Sequence, residues 1–197
     1  MRLLIKRLAL ACCSIVVGPL ILMARLGLVY FRSEGLFVFG TNVVAIIPGR
    51  LGSLCRVAFY RFTLDEFHID SFILFGTLIS SPRTRIGHKV AIGEYAIIGY
   101  SFIGDNVGLS SKCSILAGRY QHNFVDDSRG IFDSEPQFAP VTIGNDSFIG
   151  EQAIVMANVG EKSIIGAGSV VVKDIPPYSV AVGNPAKVVK TRRSEGS

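Results

Sequence analysis

The chain has no tryptophan and only three histidines, and charged residues fill just 18% of its 197 positions. A soluble globular chain is nearer 25% charged. Hydrophobic residues make up 49% and the mean hydropathy is +0.45. Intrinsic disorder is excluded, because there is ample apolar surface to bury. An ordinary cytosolic enzyme without membrane contact is also a poor fit. Cys-x-x-Cys spacing is absent. Cys12, Cys13, Cys55 and Cys113 form no Cys/His cluster of the kind that holds zinc. They read as buried thiols in a reducing compartment, and no metal is expected. The net charge of +5 is modest. It suits phosphorylated ligands or an anionic membrane surface better than a nucleic-acid groove.

What is present begins with a membrane-like first third. Leu8 to Ala24 carries no charge and follows Lys6 and Arg7. With Leu26 to Phe31 the apolar run is long enough to enter the roughly 30 Å hydrocarbon layer. A cleaved signal peptide is the rival, but Met23, Arg25 and Leu26 stand where a small-x-small site would need alanines. Gly18-Pro19 predicts a kink, since proline removes a donor and crowds the preceding turn. Basic residues flank both ends of the run, so charge gives no orientation. A re-entrant segment returning to the cytoplasmic side fits as well as a straight span. A second, shorter apolar stretch runs from Leu36 to Pro48. From Arg50 to Leu64 a helical wheel puts Leu51, Leu54, Cys55, Ala58, Phe59 and Phe62 on one face. Arg50, Ser53, Arg56, Tyr60 and Arg61 fill the other. That pattern predicts a basic amphipathic helix lying on anionic lipid, with packing on the protein's own core as the alternative.

The remaining two thirds repeats every six residues. From Ile86 the chain reads IGHKVA, IGEYAI, IGYSF, IGDNVG, and later IGNDSF, IGEQAI and IGAGSV. An aliphatic residue opens nearly every unit. A small or β-branched residue sits four places on: Val90, Ala96, Val107, Cys113, Ser147, Ala153, Ser163 and Ser169. Two units are short, at Ile98 to Phe102 and Val155 to Asn158. This period gives no helical stripe. It suits a coil with three flat faces per turn, its aliphatic residues pointing inward and its parallel strands stacked.

These repeats resemble the hexapeptide-repeat acyltransferases. The most specific part is the string IGAGSVVVKDIPPYSVAVGNPAKVV from Ile165 to Val189, which looks like the end of bacterial sugar and polysaccharide O-acetyltransferases. The resemblance implies a mainly β fold, a left-handed parallel β-helix. The organisation expected is an N-terminal membrane-associated helical region over 1–66, the β-helix domain over 67–190 with a catalytic loop at 119–140, and a tail over 191–197.

The repeat stops between Gly118 and Val141 for RYQHNFVDDSRGIFDSEPQFAP, and a long break in a regular solenoid points to a binding loop. It carries His122, Asp126, Asp127, Arg129, Asp133 and Glu135. O-acetylation needs a hydroxyl deprotonated as it attacks a thioester, and a neutral imidazole can take that proton. In the resembled family the general base is a histidine in this loop, which places the role on His122. His68 and His88 read as structural. The resemblance also implies acetyl-CoA as donor, its pantetheine arm near Gly150, Ala167 and Gly168, and its phosphates near Lys173 and Lys187. It implies a homotrimer as well. The function expected is transfer of acetyl to a sugar hydroxyl of a cell-surface polysaccharide or lipid-linked glycan precursor, at the cytoplasmic face of a bacterial inner membrane and in contact with its lipid. N-acetylation of an amino sugar and a non-catalytic trimeric scaffold are the alternatives.

Overall fold

A computed structural model describes residues 2–118 and 138–192, with side chains from residue 8 onward within those ranges. Four helices come first: α1 (Arg2–Val16), α2 (Gly18–Val29), α3 (Gly35–Ala45) and α4 (Gly49–Thr63). The apolar run from Leu8 is broken at Val17 and bent by 65°. Pro19 stands in the first turn of α2, where its missing N–H costs no helical bond. No single described helix is long and apolar enough to cross a membrane, although α1 and α2 meet the length and composition test as a bent pair.

The β region is a parallel solenoid of about five turns. Sheet A holds β1 (Glu66–Phe67), β4 (Arg85–Ile86), β7 (Ser101–Ile103) and β10 (Val141–Ile143). Single bridges at Val159 and Ile175 extend it upward. Sheet B holds β2 (Phe72–Ile73), β5 (Ala91–Ile92), β8 (Gly108–Leu109), β11 (Phe148–Ile149), β13 (Ile164–Ile165) and β15 (Ser179–Val182). The antiparallel β16 (Lys187–Thr191) closes its upper edge. Sheet C holds β3 (Leu78–Ile79), β6 (Ile97–Ile98), β9 (Ser114–Ile115), β12 (Ile154–Val155) and β14 (Val170–Val171).

The hexad explains the coil. The opening residue of each unit, from Ile73 and Ile79 through Ile165 and Val171, is fully buried. Each such side chain contributes roughly 1.5–3 kcal/mol by leaving water. The small residue four places on is buried too, because the chain turns inward at each corner. Where it is serine, its hydroxyl joins successive coils. Ser147 Oγ donates to the Gly160 carbonyl at 3.0 Å and accepts from the Ser163 N–H at 3.2 Å. Ser163 repeats both bonds with Pro176 and Ser179. Buried hydroxyls are thereby satisfied.

The irregular units fall at one corner. Ile79 to Ile86, Ile98 to Ile103, Val155 to Val159 and Val171 to Ile175 all join sheet C to sheet A, and so does the long interruption after Ile115. The outward faces also differ. Sheet A shows Glu66, Arg85, Phe102 and Thr142 in register. Sheets B and C show Phe72, Phe148, Ile97 and Ile154, all exposed.

The helices cap the open lower end of the coil, and here the wheel-based reading of the last helix is corrected. Arg56 and Tyr60, expected on the outward polar face, are buried, while Leu51 and Phe62 are exposed. Arg56 Nη1 donates to the carbonyls of Val44 at 3.0 Å, Ala45 at 3.2 Å and Ile47 at 2.9 Å. These are acceptors left over at the C-terminal end of α3, where a cation is favoured. Burial lowers the Arg56 pKa, while Tyr60 and Cys55 oppose that shift. Tyr60 shares a short hydrogen bond with Thr41. Phe59 stacks on Phe37 with ring centroids 6.0 Å apart. It also lies against Gly40, where an added Cβ would come within 2.7 Å of its ring. The helix packs on protein because neighbouring elements supply acceptors for its polar face.

Candidate active site

The corner that joins sheet C to sheet A opens into a cleft of about 480 Å³ at the base of the interrupting segment. Gly118, Ala139, Pro140, Val141, Met156 and Asn158 line it, with Val172, Lys173 and Asp174 from the coil above. A hydrogen-bonded column fixes one wall. Asn158 Oδ1 accepts from the Thr142 N–H at 2.9 Å, and Asp174 Oδ1 accepts from the Asn158 N–H at 3.0 Å. The Asp174 carboxylate is thus committed to the wall. Lys173 is exposed beside it and makes no ion pair among the described residues. Its ammonium is available to an anionic ligand.

His122, Asp126, Asp127 and the other titratable groups of the interruption lie outside the described residues. Gly118 and Ala139, which flank that segment in the sequence, line this cleft. The backbone N–H of Ala139 donates to the Ala117 carbonyl at 3.4 Å, holding the ends together.

The remaining predicted residues sit at another corner, between sheets B and C. Gly150 lies directly under Gly166 and Ala167. A Cβ added there would meet the Ala167 nitrogen at 2.5 Å. Coil stacking alone therefore requires glycine at 150. Gly168 has φ +67 and open space around it, and Ala167 is exposed beside it. Lys187 pairs in register with Val182, whose side chain covers Gly166. Gly150, Ala167, Gly168 and Lys187 thus gather along one edge. Lys173 stands at the far end of β14 from Gly168. The sequence reading missed Thr142, Asn158 and Asp174. The short unit at Val155 to Asn158 was their signal.

His68 and His88 stack on each other, with ring centroids 3.6 Å apart. Each imidazole pairs with a carboxylate, Glu66 at 3.1 Å and Asp70 at 3.2 Å. Burial raises the Asp70 pKa, but hydrogen bonds from His88 and from the backbone of Lys89 outweigh it and hold the carboxyl below its ordinary value. The pair lies at the corner between sheets A and B, away from the cleft.

No family model matches the chain. A protein of Mycobacterium tuberculosis named as an acetyltransferase is 37% identical over 114 residues, covering 55% of this chain and 37% of that one. Among solved structures, a maltose O-acetyltransferase from Clostridium difficile superposes with a TM-score of 0.68 at 24% identity, over 80% of this chain and 86% of that one. A hexapeptide-repeat acetyltransferase from Vibrio cholerae gives a TM-score of 0.62 at 22% identity, over 71% and 80%. The chain has the hexapeptide-repeat β-solenoid fold and is similar in sequence to proteins named as acetyltransferases. The matches span 27% and 37% of the length of two of its curated relatives. At this identity the two solved structures establish the fold of this hexapeptide-repeat chain.

Proposed function

We propose that the chain is an acetyl-CoA-dependent O-acetyltransferase whose acceptor is a sugar hydroxyl of a lipid-linked glycan or cell-surface polysaccharide precursor. The observation that carries this reading is the cleft at the base of the interruption. It unites an ammonium that makes no ion pair among the described residues, a hydrogen-bonded polar wall and the two ends of the long break in the repeat. His122 acts as general base. It takes the proton of the acceptor hydroxyl as that oxygen attacks the thioester carbonyl. The C–S bond then breaks, and the sulfur takes that proton back from the imidazolium to leave as the coenzyme A thiol. Coil N–H groups support the oxyanion. The family's trimer supplies the second wall of the site, and the apolar outward faces of sheets B and C are the surfaces it covers.

Membrane attachment belongs to the same proposal. Ile15, Val16, Leu22, Val29, Tyr30 and Phe31 are exposed apolar residues on the helical cap, and an interfacial surface of this kind inserts among lipid headgroups. Flotation of the full chain with vesicles of anionic phospholipid supports attachment, and recovery at the bottom of the gradient contradicts it. Transfer is tested by incubating purified protein with labelled acetyl-CoA and membrane lipid-linked glycans. Label in an alkali-labile ester on the glycan supports O-acetylation, alkali-stable label indicates an amide, and the absence of glycan label overturns the proposal.

A further inference from the structure

A second cleft of about 380 Å³ lies at the lower end of the solenoid, where the α2–α3 turn meets the first corner between sheets C and A. Arg25, Arg32 and Arg83 line it, together with Glu34, Asp65, Leu28, Pro82 and the end of α4. None of these five charged groups makes an ion pair with another. Three guanidinium groups facing two carboxylates leave a net positive cleft. The planar fork of arginine suits phosphate oxygens better than a point charge does. Arg32 holds φ +47, a costly backbone state for a side chain other than glycine and one that clusters at functional sites. Val29, Tyr30 and Phe31, the residues just before it, are exposed, Tyr30 by 77%. Exposed aromatics beside arginines are the composition of a headgroup layer.

This cleft shares its corner with the candidate active site. The Arg83 guanidinium lies 4.5 Å above the ring of Tyr100, one coil higher. The Tyr100 carbonyl accepts from the N–H of Val141 at 3.2 Å, and Val141 lines the upper cleft. Phe102 stands edge-on to Tyr100 at 5.6 Å and carries Arg85 at 5.0 Å. Aromatic faces flanked by arginine provide a surface on which a sugar ring can lie. Two coils at about 4.8 Å each separate Arg83 from the Val141 edge of the upper cleft, roughly 10 Å, and four separate it from Lys173, roughly 19 Å, a span a short glycan can cover.

We propose that Arg25, Arg32 and Arg83 bind the phosphate of a lipid-anchored acceptor, whose glycan then runs along Tyr100 to the cleft at Lys173. The inference rests on the acceptor reading above but is tested by binding alone, so a failure of acetyl transfer leaves it standing. The probe is hexadecyl phosphate, titrated calorimetrically into the full chain in non-ionic micelles, with inorganic phosphate and hexadecanol as separate arms. The expected result is saturable binding of hexadecyl phosphate, with inorganic phosphate at least a hundredfold weaker and hexadecanol not saturating. Combined Arg25→Gln, Arg32→Gln and Arg83→Gln should weaken binding at least tenfold. Combined Arg50→Gln and Arg61→Gln, which remove charge from α4, should change it less than twofold. If the triple variant unfolds, the exposed Arg32→Gln alone is read, with about threefold weakening expected. Parent-like binding by the folded variants overturns the proposal. So does inorganic phosphate binding as tightly as the lipid, which would make the cleft a site for free anions.

Discussion

Arg56 Nε donates to the carbonyl of Ile73 at 3.0 Å, so the last helix is tied to the first coil by the same guanidinium that caps α3. Four carbonyls from three segments converge on one buried side chain. Arg56→Met keeps the volume and removes every donor. The Val44 and Ala45 carbonyls keep the N–H groups of Ile47 and Gly76, whereas those of Ile47 and Ile73 lose their donor. Each acceptor left unsatisfied costs about 1–3 kcal/mol, so the variant should lose at least about 2 kcal/mol in chemical denaturation. An unchanged denaturation midpoint would show that the helical cap is not held by this residue.

Tyr60 gives the cap a pH dependence. Burial pushes its phenol up to about 12, against smaller opposing effects from Thr41, the Ile79 backbone and Arg56. The unfolded phenol titrates near 10, so the folded state favours the protonated form. That stabilisation is complete below pH 10 and is lost as the pH rises from 10 through 12. Stability measured across this window should fall in the parent and fall less in Tyr60→Phe. Parallel curves for the two proteins would remove the assignment.

Phe148 is 46% exposed and Ile154 37% exposed on the outward faces of sheets B and C. A trimer that packs these faces together should be broken by Phe148→Glu combined with Ile154→Glu. Sedimentation in detergent should then give a monomer where the parent gives a trimer. A trimeric double variant would mean that other surfaces carry the assembly.

The core of the solenoid was legible because its period is written in single residues. Ile86, Ile92, Ile98 and Ile103 mark the inner wall, and the units that break the period mark one corner. Arg56 was misread for a physical reason. A helical wheel ranks polarity along one element, whereas the acceptors that bury this guanidinium come from α3 and β2, distant in sequence. Gly150 was noticed for its smallness, but the close neighbour that demands glycine is the backbone of the next coil. The Thr142–Asn158–Asp174 column was hidden because ordinary polar residues become a wall only once the coils stack.

We propose His122 as the general base of the acetyl transfer. Turnover of labelled acetyl-CoA by His122→Ala, with the acetyl-CoA dissociation constant measured in parallel, tests it most directly. Loss of a positioned base costs roughly a hundredfold to ten-thousandfold in rate, so turnover should fall within that range. Acetyl-CoA affinity should stay within a few-fold, and the ascending limb of the parent's pH–rate curve near about 6.5 should disappear. Parent-like turnover by a folded, trimeric His122→Ala protein would contradict the account.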